Sequence, residues 1–278
     1  GIFIEELTNK EGYLINGIIT AIVVVVAILI MLKWGPKERE EFKLDHIQNM
    51  KFFQGIKHSF KNKAFVLFLV MFFLHEYFLQ VIAVTTPLFL VHVFGVQDTL
   101  LISLFYGVYF LAAILSMVLW RKIDIKFGTK KTFRIAVIYY FLCSLPFLFN
   151  TSFELALINL IFMGAGFGGM LYCIWVLIAD VIDHDELKTG IRREGIYFGI
   201  AGFFIRFAII ASIVTIALVY TSTGWETYTP NPGTDVIWGN RLLYVVFPGI
   251  ALLLTLVCLH FYPLSKEIVD EMKNKMSE

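Results

Sequence analysis

Long apolar runs alternate with short polar segments along the whole chain. Seven runs stand out, at residues 17–34, 64–94, 99–120, 133–149, 155–179, 195–220 and 242–261. Each approaches or exceeds the ~20 residues that carry a helix across a ~30 Å hydrocarbon core. Inside a bilayer every backbone amide must be satisfied within the chain, so seven membrane-spanning helices are predicted. The run 64–94 is overlong and contains Pro87, whose missing N–H predicts a bend or an exit from the membrane near its far end. The run 133–149 is short, which predicts a tilted or slightly extended helix. Between runs, 35–63 is densely charged and weakly amphipathic around 50–60, predicting a linker on the membrane surface. The segment 221–240, rich in Thr, Gly, Pro and Trp, predicts an irregular loop.

Composition agrees: 58% of the 278 residues are hydrophobic and only 16% charged, against roughly 45–50% and 25% in soluble domains. The fold class is an all-α membrane protein. Net charge, +1, is uninformative, but its placement orients the chain. Of the 23 Lys and Arg residues, 20 fall in the segments on one side of the predicted spans. Lys10 and Arg241 lie on the other side, and Arg206 lies within a span. By the positive-inside rule the first residues are outside and the C-terminus is cytoplasmic, in a plasma or cytoplasmic membrane. Cys143, Cys173 and Cys258 sit in apolar runs without metal-ligand or pairing spacing, so they read as core residues. Asn150-Thr151-Ser152 is a formal glycosylation sequon in an outer segment. The chain opens on Gly1 in a segment unlike a signal peptide, which reads as a fragment, a processed product or an engineered piece rather than a natural start.

Charge inside a span needs a reason. Arg206 lies 11 residues into its run, about 17 Å deep at 1.5 Å per residue, where an arginine costs roughly 2.5–3.5 kcal/mol on insertion scales. An architectural ion pair and a cation lining a substrate or ion path both answer that cost. Glu76 lies about 18 Å into its own run, so the two charges share a depth on different helices and are expected to neutralise each other in at least one state. Gln80, four residues on, shares the face of Glu76. His75 fits a packed core position as well as a cavity wall.

The fifth run carries Gly164, Gly166, Gly168 and Gly169. Gly164 and Gly168 form a G-x-x-x-G pair that lets helix backbones approach closely and could also lend flexibility. Tyr172 and Trp175, just beyond, are candidate stacking surfaces for a sugar ring, although membrane aromatics commonly serve packing. After this run the chain reads Ala179-Asp180-Val181-Ile182-Asp183-His184-Asp185-Glu186-Leu187-Lys188-Thr189-Gly190-Ile191-Arg192-Arg193-Glu194-Gly195. Acids and bases this dense, joined by a tight Thr189-Gly190 turn, suit a gate whose ion pairs form in one state and break in another. One exposed pair is worth only ~0–1 kcal/mol, so such a gate needs a network and some burial.

The run Asp180-x-x-Asp183-x-x-Glu186-x-Lys188-Thr189-Gly190-x-Arg192-x-Glu194 resembles the signature of the glycoside–pentoside–hexuronide:cation symporters of the major facilitator superfamily, the family of the melibiose permease. Lys126-Phe127-Gly128-Thr129-Lys130-Lys131 resembles a degenerate form of that superfamily's cytoplasmic loop motif. Trp238-Gly239-x-Arg241-Leu242-Leu243 and Phe261-Tyr262-Pro263-Leu264 are similar to the family's last span. Where the family commonly has a lysine, this chain has Arg206, which holds its proton and so suits a fixed counter-ion.

The resemblance implies the last seven of twelve helices of a major facilitator fold. Residues 1–34 would be an outer segment and the last helix of the N-terminal bundle, 35–63 the central cytoplasmic loop, 64–264 the C-terminal six-helix bundle and 265–278 a cytoplasmic tail. Asp180, Asp183, Arg192 and Glu194 would form a cytoplasmic gate, and Glu76, Gln80, Tyr172, Trp175 and Arg206 would line the substrate or ion pathway. The expected function is cation-coupled symport of a sugar or glycoside by alternating access. No enzyme activity, cofactor, bound metal or nucleic acid is expected. The coupling ion would be Na⁺ or H⁺, held mainly by the absent N-terminal bundle, and the partners would be that bundle, the bilayer and a small-molecule substrate. A lysolipid carrier of the same fold is the alternative within transport. A seven-helix receptor is the alternative outside it, although the last span lacks both a retinal-type lysine and an N-P-x-x-Y run.

Overall fold

The computed structural model describes residues 10–35, 52–225 and 233–277. The expectations for 1–9, for most of the central linker and for 226–232 lie outside these residues. Within them, seven helices are long and apolar enough to cross a membrane. They are α1 (Lys10–Trp34), α3 (Lys63–Phe94), α4 (Thr99–Phe127), α5 (Thr129–Ser144, continued by a 3-10 turn, Leu145–Leu148), α6 (Phe153–Thr189), α7 (Glu194–Ser222), and α8 (Gly233–Arg241) running through a π-helical turn (Leu242–Val246) into α9 (Phe247–Phe261). Two helices stay outside this set: α2 (Phe52–Ser59), in the predicted surface linker, and α10 (Lys266–Ser277), after the last span.

Six of the spans form two layers. In one, α6 is held between α4 and α5; in the other, α3 is held between α7 and α9, with α3–α6 and α5–α9 contacts joining the layers. Burial follows this order: 61% of the apolar window of α6 is inside the bundle, but only 17% in α4 and in α7. The spanning window of α1 is uncovered throughout.

Glycine lets α6 hold the centre. A Cβ on Gly164 would stand 2.5 Å from the Tyr109 carbonyl oxygen, and one on Gly168 would collide with the Ala113 carbonyl oxygen and Ser116 Oγ. Toward α5, a Cβ on Gly166 would meet Tyr140 Cα at 3.0 Å, while Gly169 gives its space to the α4 Trp120 ring, 2.5 Å from such a Cβ. All four glycines are therefore packing devices. The closeness is fixed by hydrogen bonds across the seam, from Trp120 Nε1 (2.7 Å) and Ser116 Oγ (3.0 Å) to the Ala165 carbonyl. The core is aromatic: between the layers Phe78 stands edge-on to Tyr140 (centroids 4.9 Å), and within the second layer Phe89 stacks on Tyr244 (4.3 Å). Such pairs contribute about 0.5–1.5 kcal/mol beyond their buried area.

Three features revise or refine the expectations. First, α3 continues as helix through Pro87 to Phe94. Proline cannot donate to the carbonyl four residues back; that carbonyl belongs to Ala83, and the Tyr106 hydroxyl donates to it from α4 at 3.4 Å. Second, the end of the segment expected to be irregular is helix α8, continuous with the last span. Arg241 fixes it by donating to the carbonyls of Phe147 (2.9 Å) and Leu148 (2.7 Å), which caps the 3-10 turn after α5. Third, α6 runs ten residues beyond the expected boundary and carries the acidic half of the signature on its last turns. The short fourth run is extended, spanning Thr129–Leu148.

Candidate functional site

The chain turns from α6 into α7 through Gly190, whose φ of 69° closes the helix in the left-handed region that suits glycine. Two adjacent arginines in the turn serve different carboxylates. Arg192 Nη1 lies 2.9 Å from Asp183 and 2.5 Å from Glu186, and its Nε lies 2.6 Å from Glu194. Partial burial works against the charge of Arg192, but hydrogen bonds to Glu186, Glu194 and Asp183 outweigh it and raise its pKa above the ordinary arginine value. Arg193 turns inward: its Nη2 lies 2.6 Å from Asp185 and its Nε 3.1 Å, and both residues are buried (Arg193 7% exposed, Asp185 3%). The Thr189 hydroxyl, 3.3 Å from Arg193, ties the turn together. His58 of α2 reaches the other oxygen of Asp185 at 3.6 Å, linking the segment before α3 to this corner.

Asp180, one turn before Asp183, faces another way. It is 3% exposed, and its ion-pair neighbour is Lys273 of α10 at 3.9 Å. Asp180 helps to line a cavity of about 210 Å³ with Asp124, Thr129, Lys130, Lys266 and Lys273. Lys266 closes one wall by donating to the carbonyls of Ile125 (2.9 Å) and Lys126 (3.0 Å) at the end of α4. Lys130 donates to the carbonyl of Tyr262. Burial and then the neighbouring Asp180 push the Tyr262 phenol well above its ordinary range. The signature thus divides into an Arg192 network and a separate Asp180 cavity beneath α10.

The five pathway candidates also separate. The Tyr172 hydroxyl donates to Asp124 Oδ2 at 2.8 Å, so its polar group is engaged between α6 and α4. Removing it as Tyr172→Phe is expected to lower unfolding free energy by about 1.5–3 kcal/mol, the range for hydrogen bonds to charged groups. A melting curve of the detergent-solubilised variant that overlays the wild type would refute this. Trp175 is exposed, edge-on to Phe72 (centroids 6.1 Å) and stacked near Phe198 (6.5 Å). Glu76 and Gln80 share a half-buried face of α3. Arg206 is exposed on α7. Among the described residues no ion pair joins Glu76 and Arg206, so this structure shows the state in which each stands apart.

Gln80 opens into a cleft of about 230 Å³ between α3, α4 and α6, walled by Thr86, Tyr106, Tyr109, Phe110 and Phe167 among others. Gln80 is 17 residues into α3, about 25 Å from its basic end, which puts the cleft in the opposite half of the bundle. The sequence reading missed Asp124, Asp185, Arg193 and Tyr106. Asp124 fell beyond the expected end of its span, although its four-residue spacing from the buried Trp120 placed both on one helix face. Nothing in spacing alone separates Arg193 from Arg192.

A family model described as MFS/sugar transport protein matches residues 1–266. The sodium-dependent lysophosphatidylcholine symporter 1 of Xenopus tropicalis is 27% identical over 275 residues, covering 95% of this chain and 51% of that protein. The glucuronide carrier protein homolog of Escherichia coli is 31% identical over 161 residues, covering 54% of this chain and 34% of that protein. The uncharacterized symporter YnaJ of Bacillus subtilis is 29% identical over 109 residues, 37% of this chain and 23% of that protein. The chain spans about half the length of the lysophosphatidylcholine symporters it matches. A receptor is thereby set aside, and the chain belongs to the MFS/sugar transport protein family, as an integral membrane part of the glycoside–pentoside–hexuronide:cation symporter kind.

Proposed function

We propose that the chain is the part of a cation-coupled symporter that helps to carry an amphiphile, a lysolipid-like molecule with a charged head and one apolar chain, by alternating access. The observation that carries this reading is the cleft between α3, α4 and α6. Its walls are mainly aromatic and aliphatic, with polarity confined to Gln80, Thr86 and tyrosine hydroxyls. A sugar needs hydrogen-bond partners around its whole rim, because each polar group buried without one costs about 1–3 kcal/mol; an acyl chain needs none. The extent of likeness to the lysophosphatidylcholine symporters, 95% of the chain, supports the same substrate class.

Arg206 supplies the head-group contact in this reading. Its guanidinium is always charged, forks toward phosphate, and has no ion-pair partner among the described residues. Glu76, at a similar depth on α3, is its counter-ion in another state of the transport cycle. The basic end is cytoplasmic, and the Arg192 network of Asp183, Glu186 and Glu194, with Asp180 and Lys273 beside it, closes that side. Sugar transport is the second reading, favoured by the match to the glucuronide carrier homolog.

Uptake of labelled lysophosphatidylcholine and of a labelled glycoside by cells carrying the whole transporter separates the two. Lysolipid uptake that depends on a Na⁺ or H⁺ gradient, and falls at least about tenfold in Arg206→Ala, is the expected result. Glycoside uptake without lysolipid uptake would overturn the proposal, as would an undiminished Arg206→Ala.

A further inference from the structure

The tail helix α10 is fastened unevenly along its length. Its root is a reciprocal joint. Lys266 donates to the carbonyls of Ile125 (2.9 Å) and Lys126 (3.0 Å) at the end of α4. Lys130, at the start of α5, donates to the Tyr262 carbonyl just past α9. Helix ends leave their last carbonyls without amides, so each lysine caps the helix that the other one follows. Gly128 makes room for the joint: its φ is 81°, and a Cβ there would stand 2.6 Å from the Cβ of Lys266.

Past this root the hold is slight. Met272 is buried, but Val269 is only half-buried, and Ile268 and Met276 are exposed. Among the described residues, the ion pair from this half to the bundle is Lys273 with Asp180; it is long at 3.9 Å, and the lysine is 60% exposed. Such pairs contribute little, and elements with few buried apolar contacts are the ones that open locally. Residues 262–265, which join α9 to α10, lie outside any helix.

What this half covers is a space rather than a packed seam. The cavity of about 210 Å³ has Asp124, Leu177 and Asp180 on the bundle side and Val269, Asp270 and Lys273 on the tail side, with room for several waters. Asp180 has Lys273 and the Thr129 hydroxyl as polar neighbours, while Asp183 and Asp124 add like charge around it. Near it the Tyr262 hydroxyl is buried and, among the described residues, has no hydrogen-bond partner.

We propose that the far half of α10 is a lid over Asp180, which swings about its root at residues 262–265 and is held shut by Met272 and by Lys273 as a tethered ammonium. The long stem of Lys266 keeps the root in place while the far end moves. Shut, the lid screens Asp180 from the aqueous phase; open, it admits water and free cations to Asp180 and Asp124. The Tyr262 hydroxyl is then a donor that Asp180 can turn to when Lys273 withdraws. The lid rests on the reading of the basic end as the gated side, and names the element that governs access there.

The test uses the whole transporter with Cys143, Cys173 and Cys258 replaced by alanine and one new thiol, Leu177→Cys, in the cavity wall, where the native side chain is 1% exposed. A charged maleimide should label this parent slowly. Met272→Ser/Lys273→Gln, which weakens the closure and leaves the Lys266 joint alone, should label at least about tenfold faster while melting like the parent. In the unaltered transporter, amides of 268–277 should exchange with deuterium at least about tenfold faster than those of 174–181 in α6. Labelling of the double variant at the parent rate would overturn the lid, and so would equal protection of the two segments. Uptake reads the gate separately: faster labelling with unchanged uptake would keep the lid and overturn only the gating role of Asp180.

Discussion

Gly168→Leu should leave no folded bundle to purify. The side chain would have to enter space held by the Ala113 carbonyl and by Ser116 Oγ. Ser116 cannot swing aside without loss, because its hydroxyl bonds the Ala113 carbonyl at 2.8 Å and the Ala165 carbonyl at 3.0 Å. With backbone rather than a flexible tip in the way, α4 and α6 must part. Overpacking a tight core costs about 1–3 kcal/mol even for small insertions. Here it would also undo the seam from Tyr109 to Trp120. In lipid, where apolar side chains gain nothing by leaving other hydrocarbon, close packing is what holds helices together. Size-exclusion of the detergent extract would read the outcome as aggregate in place of a monodisperse peak. Gly107→Leu, where a Cβ meets nothing within 4 Å, should behave as wild type. A Gly168→Leu protein that elutes and melts normally would show the α4–α6 seam to be wrong.

Arg193→Ala should be the most damaging change among the charged residues. It strips Asp185, only 3% exposed, of a two-nitrogen partner. Close by, Asp185 keeps the His58 imidazole at 3.6 Å and the Tyr197 hydroxyl. Removing one partner of a buried pair typically costs 3–5 kcal/mol, about what is needed to unfold a marginal domain. Asp185→Asn in the same protein should return much of that loss, because the amide carries no charge to strand. Arg192→Ala should be far milder for stability. Its carboxylates are partly exposed (22% for Asp183, 26% for Glu186, 50% for Glu194) and water can take over. Denaturant unfolding of the three single or double variants orders them. Arg192→Ala destabilising the protein more than Arg193→Ala would reverse this assignment of roles.

Sequence made the number of spans legible because hydrocarbon imposes length and composition on every helix separately, before any tertiary contact. Boundaries were less legible. The acidic end of α6 and the end of α4 at Asp124 are polar, and hydropathy stops where polar residues start, although helical hydrogen bonding does not. The surroundings of Pro87 were not legible either: the Ala83 carbonyl that the proline leaves without an amide is met by a tyrosine hydroxyl from another helix, 23 positions on from Ala83. The signature residues could be found as a motif, but their division into two clusters could not. Whether Asp180 faces α10 or Arg192 depends on the azimuth of one helix relative to a tail 90 residues later. Arg206 and Glu76 were legible as costly groups at one depth. Their separation in this structure follows from the side of each helix that is covered, which no single-helix pattern encodes.

The hydroxyl that completes α3 at Pro87 has one more consequence. Tyr106 also walls the cleft, and its bond to Ala83 is long at 3.4 Å. A guest that draws the phenol toward itself, or offers that carbonyl a shorter donor, therefore changes the bond that spans the proline gap. Occupancy of the cleft and straightness of α3 become two readings of the same hydrogen bond, so the helix itself can register whether the cavity beside it is filled.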